Sequence, residues 1–196
     1  MADVFVFEPP HEGLKDSYRS LIHELDERGE PLIPFPLGFP NADFPGFLRR
    51  LAACSRGEGI PPGYVAHSTY WLARGGEVLG VSNLRHVLTE KARRDGGNIG
   101  FGVRPSARRQ GVATELLRRT LAAAQRMGIP AAWLTCDRRN EASRRTILRN
   151  GGIFVSEELI PERGSVVQRY RIDLAVSGAA PRELPAPPGD PASAVS

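Results

Sequence analysis

The sequence predicts a mixed α/β fold in which helices flank a central sheet. Three observations support this prediction. Apolar residues recur at helical spacing in the first part of the chain, and two strand-like runs joined by Gly75-Gly76 follow. The remainder alternates between strand-like and helix-like segments and ends in a hairpin, which is typical of a layered α/β sandwich. A chain of 196 residues is long enough for one domain with a substantial core.

The first part of the chain predicts a short strand and two helices. The strand is expected at 3–7 and ends before Pro9-Pro10. The first helix is expected at 14–28, because its apolar residues lie three or four positions apart and Gly29 follows. Five prolines between 31 and 45 predict a loop, and a second helix is expected from about 43 to 55.

The second part predicts alternating strands and helices. Runs 64–74 and 77–88 form a hairpin, because both glycines at 75 and 76 can take positive φ in a tight turn. The following elements are a strand at 98–103, a helix at 110–127, a strand at 131–136, a helix at 140–150 and a closing hairpin of 153–158 with 166–174. These elements together predict one domain that spans 1–175. Residues 176–196 are rich in proline and alanine and lack aromatic residues, so we expect a disordered tail there.

The bulk composition excludes several classes of protein. The formal charge is +4, and nearly all of the basic residues are arginines, which either form a nucleic-acid patch or lie scattered among acidic residues. Their interleaving with Asp and Glu favours the second interpretation, so no nucleic-acid partner is expected. Cys54 and Cys136 have no metal-ligand spacing and are expected to be free thiols, so no metal is predicted. No signal peptide or membrane span is evident, which predicts a cytoplasmic protein without a membrane partner.

The segment 104–113 carries the clearest functional pattern, since it follows an apolar strand and opens a helix. Gly111 lets the main chain approach an anion closely, and the unpaired N–H groups at the helix start point towards it. Arg108 and Arg109 add charge that suits phosphate geometry. The pattern therefore predicts a diphosphate-binding turn, although an ordinary strand-turn-helix with two solvated arginines fits the spacing equally well.

The residues Arg108-x-x-Gly111-x-Ala113 resemble the Gln/Arg-x-x-Gly-x-Gly/Ala signature of the GNAT superfamily of N-acetyltransferases. The resemblance implies a GNAT-like fold, with a mostly antiparallel twisted sheet of six or seven strands and about four flanking helices. It also implies acetyl-coenzyme A as co-substrate. The residues that it places at the pyrophosphate are Arg108, Arg109, Gln110, Gly111, Val112 and Ala113.

A second similarity lies further along the chain. Leu134-Thr135-Cys136-Asp137, followed by Asn140-x-x-Ser143, is similar to the second coenzyme A motif of GNAT proteins. It implies that Asn140, Ser143 and Arg144 lie at the pantetheine arm, whereas Asn140 taken alone suits a helix N-cap. Asn83-Leu84-Arg85-His86 and Gly96-Gly97-Asn98-Ile99-Gly100 resemble a poorly characterised GNAT branch, and this likeness covers about residues 10–174.

The resemblance implies direct transfer of the acetyl group to a primary amine of a small molecule or peptide in a ternary complex. In this scheme an N–H among Phe101, Gly102 and Val103 polarises the thioester carbonyl. Gly100 and Gly102 suit close approach of the cofactor on one side of that strand, and a β-bulge is their alternative role.

The acceptor side is less defined by the sequence. His86 is the candidate general base and Arg85 the candidate ligand of an acceptor carboxylate, with structural and salt-bridge roles as alternatives. Asp95 and Glu90 are weaker base candidates. Many GNAT enzymes place a tyrosine acid seven residues after the motif asparagine, and this chain has Ile147 there. That departure motivates the alternative of a non-catalytic coenzyme A sensor. A homodimer is compatible with the sequence.

Overall fold

Two antiparallel sheets form the centre of the protein, and helices cover them. The structure, a computed structural model, describes residues 4–174, so the predicted tail at 176–196 lies outside the described residues. The elements in chain order are β1 (Val6–Glu8), α1 (Lys15–Glu27), α2 (Phe44–Arg56), β2 (His67–Arg74), β3 (Glu77–Arg85), α3 (Glu90–Asp95), β4 (Ile99–Val103), α4 (Val112–Arg126), β5 (Ala131–Asp137), α5 (Glu141–Arg149), β6 (Ile153–Ile160) and β7 (Ser165–Asp173).

The strands divide into a four-stranded sheet of order β1-β2-β3-β4 and a three-stranded sheet of order β5-β7-β6. Every pairing within these two sheets is antiparallel. The prediction of a mixed α/β fold is confirmed. The prediction of one central sheet is corrected, because β4 and β5 do not form a ladder in the described part of the chain.

The two sheets meet at Asn98, immediately before β4. Its main-chain N–H donates to the carbonyl oxygen of Trp133 over 2.6 Å, and its side-chain oxygen accepts from the N–H of Trp133 over 3.0 Å. Gly97 has a φ of +66°, and a Cβ there would overlap the carbonyl oxygen of Trp133. Only a glycine therefore allows the approach that brings β5 to the start of β4. Beyond this contact β4 and β5 form no ladder among residues 4–174, and the space between their two facing edges is called the cleft from here on.

Short polar side chains cap the starts of α2 and α3. Asp43 accepts from the N–H of Gly46 over 3.1 Å at the start of α2, and Thr89 accepts from Ala92 over 3.1 Å at the start of α3. Such caps satisfy main-chain donors that lack intrahelical partners. Helix α3 was absent from the sequence prediction, which placed a strand up to 88 and a turn at 95–97.

Separate apolar clusters lie on the two faces of the first sheet. Between α1, α2 and β2, the ring of Tyr18 stacks on Trp71 at 4.9 Å and on Phe47 at 5.1 Å. Under α4 and α5, Leu117 and Leu134 belong to a second cluster that also spans the second sheet. Helix α4 thus packs across both sheets and holds the cleft between them.

Candidate active site

The turn before α4 leaves several main-chain donors without partners. A single 3-10 turn at Pro105–Ala107 leads into Arg109 and Gly111, which have φ values of 65° and 80°. Helix α4 begins at Val112 with no side-chain cap. Among the described residues, the N–H groups of Arg109, Gln110 and Gly111 find no acceptor. Together with the first turn of α4, they form a surface suited to an anion.

The two arginines of the turn differ in their partners. Arg108 makes a bidentate ion pair with Glu30, with nitrogen–oxygen distances of 2.9 and 2.5 Å. Its hydrogen bonds hold the pKa of the Glu30 carboxyl below its usual range. Arg109 is exposed and has no ion pair or hydrogen bond within the part of the chain described. Arg109 is therefore the cation available to a ligand, while Arg108 is held against the loop that follows α1.

A buried ion-pair network fixes the start of this turn. Arg104, with a side chain only 6% exposed, donates to Glu24 over 2.6 Å and to Glu77 over 2.8 Å. The other carboxylate oxygen of Glu24 accepts the main-chain N–H of Ser106 over 3.1 Å. Partial burial opposes ionisation of Glu24, but the Arg104 and Ser106 hydrogen bonds outweigh it and lower its pKa. The sequence analysis missed this network, for which the only local signal was Arg104-Pro105.

The register of β3 and β4 selects the donors that face the cleft. Arg85 donates its N–H to Asn98 and Arg104 donates to Leu79, so these opposite residues are the hydrogen-bonded pairs. Hydrogen-bonded and non-hydrogen-bonded pairs alternate in an antiparallel ladder. The N–H of Gly102 therefore points to β3. Those of Phe101 and Val103 point to the cleft, and the carbonyl of Val103 accepts from Arg108 over 3.4 Å there.

The glycines of β4 accommodate the main chain rather than the expected cofactor. A Cβ on Gly102 would overlap the carbonyl oxygen of Ile33, and one on Gly100 would lie 3.2 Å from Cβ of Pro34. The segment between α1 and α2 thus covers this face of β4. This corrects the prediction that Gly100 and Gly102 admit the cofactor from that side, because the space is already occupied.

The start of α5 borders the other side of the cleft. The side-chain oxygen of Asn140 accepts the N–H of Ser143 over 3.0 Å, which confirms its role as an N-cap. The side-chain nitrogen of Asn140 makes no hydrogen bond within the described chain. Arg144 makes a bidentate pair with Glu141 over 2.7 and 3.0 Å. The cofactor roles of Asn140, Ser143 and Arg144 stay predictions.

The position of the missing tyrosine acid and the nearby Cys136 and Tyr170 are all buried. Ile147 is fully buried in the cluster under α4 and α5. Burial, with a contribution from Asp137, raises the pKa of the Cys136 thiol to about 11. Burial also raises the pKa of Tyr170, whose hydroxyl donates to Gln168 over 2.8 Å. A thiol that stays protonated at neutral pH is a poor nucleophile, so the interpretation of Cys136 as a core residue holds.

Arg85 and His86 contact different groups. His86 Nε2 lies 2.9 Å from the hydroxyl of Ser68, and burial lowers the pKa of its imidazole. Arg85 donates from one terminal nitrogen to the carbonyls of Gly96 and Gly97. No carboxylate among the described residues lies at salt-bridge distance from Arg85, so the predicted salt-bridge alternative is wrong. His86 follows the last residue of β3, and the charges of Arg85 and His86 both act on the buried His67, so the two residues lie near each other with different hydrogen-bond partners.

Sequence reasoning missed two residues beside Arg85. His67 is buried, and its Nδ1 lies 2.8 Å from the side-chain nitrogen of Asn83. The side-chain oxygen of Asn83 is buried without a hydrogen-bond partner in the described region. Burial, then the charges of Arg85 and His86, lower the pKa of His67 to about 4. A lone histidine at the start of a strand gave no signal of this arrangement. Glu90 and Asp95 lie on α3.

Among residues 4–174, no group of His, Cys, Asp and Glu side chains is arranged to hold a metal ion. The same stretch contains no helix with the length and apolar character needed to cross a membrane.

The fold and the site together define a two-sheet α/β protein whose helix start presents unpartnered main-chain donors suited to an anion. A family model described as Acetyltransferase (GNAT) domain matches residues 43–153. The chain belongs to this family. A search of curated proteins finds no match.

Solved structures share the fold at low sequence identity. One is RimL, a ribosomal L7/L12 alpha-N-protein acetyltransferase in complex with coenzyme A, with a TM-score of 0.66 and 15% identity, covering 90% of this chain and 97% of that one. Another is yncA, a putative acetyltransferase from Salmonella typhimurium with acetyl-CoA, with a TM-score of 0.61 and 14% identity, covering 92% and 99%. The microcin C7 self-immunity acetyltransferase MccE, in complex with acetyl-CoA and AMP, has a TM-score of 0.65 and 13% identity. The match covers 89% of this chain and 94% of that one. All three of these structures were solved with acetyl-CoA or coenzyme A bound.

Proposed function

We propose that the protein is an acetyl-CoA-dependent N-acetyltransferase that moves an acetyl group to a primary amine of a small molecule or peptide. The observation that carries the proposal is the set of unpartnered N–H groups at Arg109, Gln110 and Gly111, immediately before α4. A helix start with free donors stabilises phosphate oxygens through hydrogen bonds and the positive end of the helix dipole. The unpaired Arg109 adds a charge at the same place.

The remaining cofactor residues surround this turn and the cleft. Val112 and Ala113 contribute the first N–H groups of α4, while Arg108 lies beside the turn in its pair with Glu30. On the opposite side, the free amide nitrogen of Asn140 and the residues Ser143 and Arg144 lie at the start of α5. Acetyl-CoA supplies the activated acetyl thioester when it is bound.

The catalytic groups of the proposal come from β4 and the end of β3. The N–H of Phe101 points into the cleft and is suited to donate to the thioester carbonyl oxygen, which is worth about 3 kcal/mol in a preorganised site. His86 is the proposed general base, because its lowered pKa leaves the imidazole neutral and able to accept a proton at neutral pH. A thiol with a pKa of about 8.5 leaves without strong acid assistance.

The wider context completes the proposal. The buried free thiols of Cys54 and Cys136 fit a reducing compartment, so we propose that the protein acts in the cytoplasm. The possible homodimer stays a prediction.

The test measures cofactor binding and transfer separately. Acetyl-CoA is expected to raise the melting temperature of the wild-type protein. Arg109→Gln is expected to reduce this rise, whereas Arg126→Gln, an exposed substitution at the far end of α4, leaves it unchanged. Release of free coenzyme A is then followed with a panel of polyamines, amino acids, aminoglycosides and peptides. The proposal fails if acetyl-CoA gives no stabilisation at millimolar concentration.

The buried Ile147 favours a second candidate, a module that senses acetyl-CoA or coenzyme A without catalysis. It predicts the same stabilisation by acetyl-CoA but no release of coenzyme A with any amine. Release above the rate of spontaneous hydrolysis excludes it.

A further inference from the structure

Arg85 is a partly buried cation, and no carboxylate of residues 4–174 lies at salt-bridge distance from it. The two fully buried arginines of residues 4–174 are each neutralised, Arg104 by Glu24 over 2.6 Å and Arg169 by Glu158 over 2.5 Å. Arg85 instead contacts neutral carbonyls, those of Gly96 over 3.3 Å and Gly97 over 2.9 Å. Withdrawing a charge from water without a partner is costly. A ligand that supplies the missing negative charge removes this cost.

The free edge of the Arg85 side chain suits a carboxylate. Both carbonyl contacts use one terminal nitrogen, Nη1. Nη2 and Nε make no hydrogen bond with the described residues. A guanidinium presents its donors in a fixed planar fork, and two parallel N–H groups match the two oxygens of a carboxylate. The hydrogen bonds from Nη1 to the carbonyls of Gly96 and Gly97 therefore orient the guanidinium. The edge formed by Nε and Nη2 stays available to a ligand.

The groups around Arg85 leave the region positive. The centroid of the Phe35 ring lies 5.9 Å from the central guanidinium carbon, and the rings of His67 and Tyr64 lie 4.8 and 5.9 Å from that of Phe35. His67 is neutral near pH 7 because burial lowers its pKa. Asp95 is the nearest acidic influence, and it acts from beyond salt-bridge distance. The positive charge of Arg85 therefore stays without a neutralising partner among the described residues, beside the ring of Phe35 and near the exposed Tyr64.

The orphaned oxygen of Asn83 lies on the same face of the sheet. Asn83 and Arg85 are two residues apart on β3, so their side chains project from one face about 7 Å apart. The amide nitrogen of Asn83 is committed to His67, Ser68 and Thr69. Its oxygen lacks a donor. This neighbour of Arg85 is therefore a neutral amide and supplies no negative charge to the guanidinium.

Arg85 lies at the end of the cleft that is remote from the phosphate-binding turn. Its main-chain N–H donates to Asn98 over 2.8 Å, and Asn98 joins β4 to β5. The five residues of β4 separate this junction from the turn by roughly 17 Å. A molecule held by Arg85 therefore approaches the cleft from the end opposite to the phosphates.

We infer that the acceptor amine carries a carboxylate, which Arg85 binds, with Phe35 against the carbon skeleton of the acceptor. The inference rests on the proposed acetyltransferase function. Free amino acids and peptides with an acidic residue next to the N-terminus share this chemistry. Arg85 is in this view the residue that determines which amines are acetylated.

The experiment compares matched acceptors at saturating acetyl-CoA, with release of coenzyme A as the readout. One arm pairs free amino acids with their carboxamides, and the other pairs peptides that begin Ser-Asp with peptides that begin Ser-Asn. We expect the carboxylate member to react with a kcat/KM roughly 10- to 100-fold higher in at least one arm, as a charge-assisted bidentate contact supports. The arm that shows the preference identifies the source of the carboxylate.

Two variants connect this preference to Arg85. Arg85→Gln is expected to bring the two rates together, and Arg85→Lys to keep part of the difference because it keeps the charge but loses the fork. Arg126→Gln serves as the control for net charge. Stabilisation by acetyl-CoA verifies that each variant folds. Equal rates within each pair in the wild-type protein, reaction with neither member, or an unchanged preference in Arg85→Gln overturns the inference. A lack of stabilisation by acetyl-CoA instead contradicts the proposed function.

Discussion

Glu24 connects α1 to the turn that precedes the proposed phosphate site, and its charge is open to a direct test. The substitution Glu24→Gln keeps the shape of the side chain but removes the negative charge. Arg104, whose side chain is 6% exposed, then faces a neutral amide at 2.6 Å instead of a carboxylate. Glu24 uses one oxygen for Arg104 and the other for the main-chain N–H of Ser106, whereas glutamine offers one acceptor oxygen, so the change removes the charge together with one of these two hydrogen bonds.

The size of the effect follows from the surroundings of the pair. Removing one partner of a fully buried ion pair costs about 3–5 kcal/mol. Glu24 is itself 24% exposed, and Glu77 remains 2.8 Å from Arg104. We therefore expect a loss of about 2 kcal/mol in the free energy of unfolding, which lowers the melting temperature of a protein of this size by roughly 4–8 °C.

The measurement is urea and thermal unfolding at pH 7, with Glu27→Gln as the matched control. Glu27 lies on the same helix and makes an exposed contact with His23 over 3.3 Å, which is worth at most about 1 kcal/mol. The lowered pKa of Glu24 adds a second check. Its stabilisation is present above the unfolded pKa of about 4.3 and is lost as pH falls through the folded value, so the two proteins converge in acid. Equal stability of Glu24→Gln and Glu27→Gln at pH 7 refutes the reasoning.

Three further predictions concern the sheet junction and α4. Asn98→Ala removes the acceptor of the Trp133 N–H and should lower the free energy of unfolding by about 1–3 kcal/mol in urea titrations. Gly97→Ala should destabilise the fold further, since a Cβ overlaps the Trp133 carbonyl at a φ of +66°; an unchanged melting temperature contradicts this. Hydrogen bonds, first from Arg118, lower the pKa of Glu115 to about 2. Glu115→Gln should therefore flatten the loss of stability between about pH 4.5 and 2.

Local patterns were sufficient for most helices and turns. The helix predicted at 14–28 is Lys15–Glu27, and the tight turn at Gly75 and Gly76 has φ values of 59° and 79°. This helix and this turn are both determined by residues close together in the sequence, so the spacing of apolar residues and the positions of glycines are sufficient to predict them. Helix α3 was missed because its six residues are too short for a periodic pattern.

The arrangement of the site depends on contacts between distant residues, which spacing does not report. Glu30 and Arg108 pair across 78 positions, and this pair distinguishes Arg108 from the free Arg109. The division of the sheet arises at Asn98, whose two hydrogen bonds to Trp133 replace a ladder. A short motif was sufficient to propose the turn before α4 as a phosphate site, whereas the contacts of Arg85 with the Gly96 and Gly97 carbonyls depend on the folded chain.

The stretch from α1 to Glu30 contacts two separate parts of the molecule, the turn before α4 and the aromatic cluster beside α2. Its carboxylates at Glu24 and Glu30 contact Ser106 and Arg108 in the turn before α4, while Tyr18 belongs to the aromatic cluster with α2. Helix α2 makes no hydrogen bond to that turn in the described chain. A chimera that exchanges α1 should therefore carry Arg104 and Arg108 with it as a single unit, whereas an exchange of α2 leaves the hydrogen bonds of the turn intact.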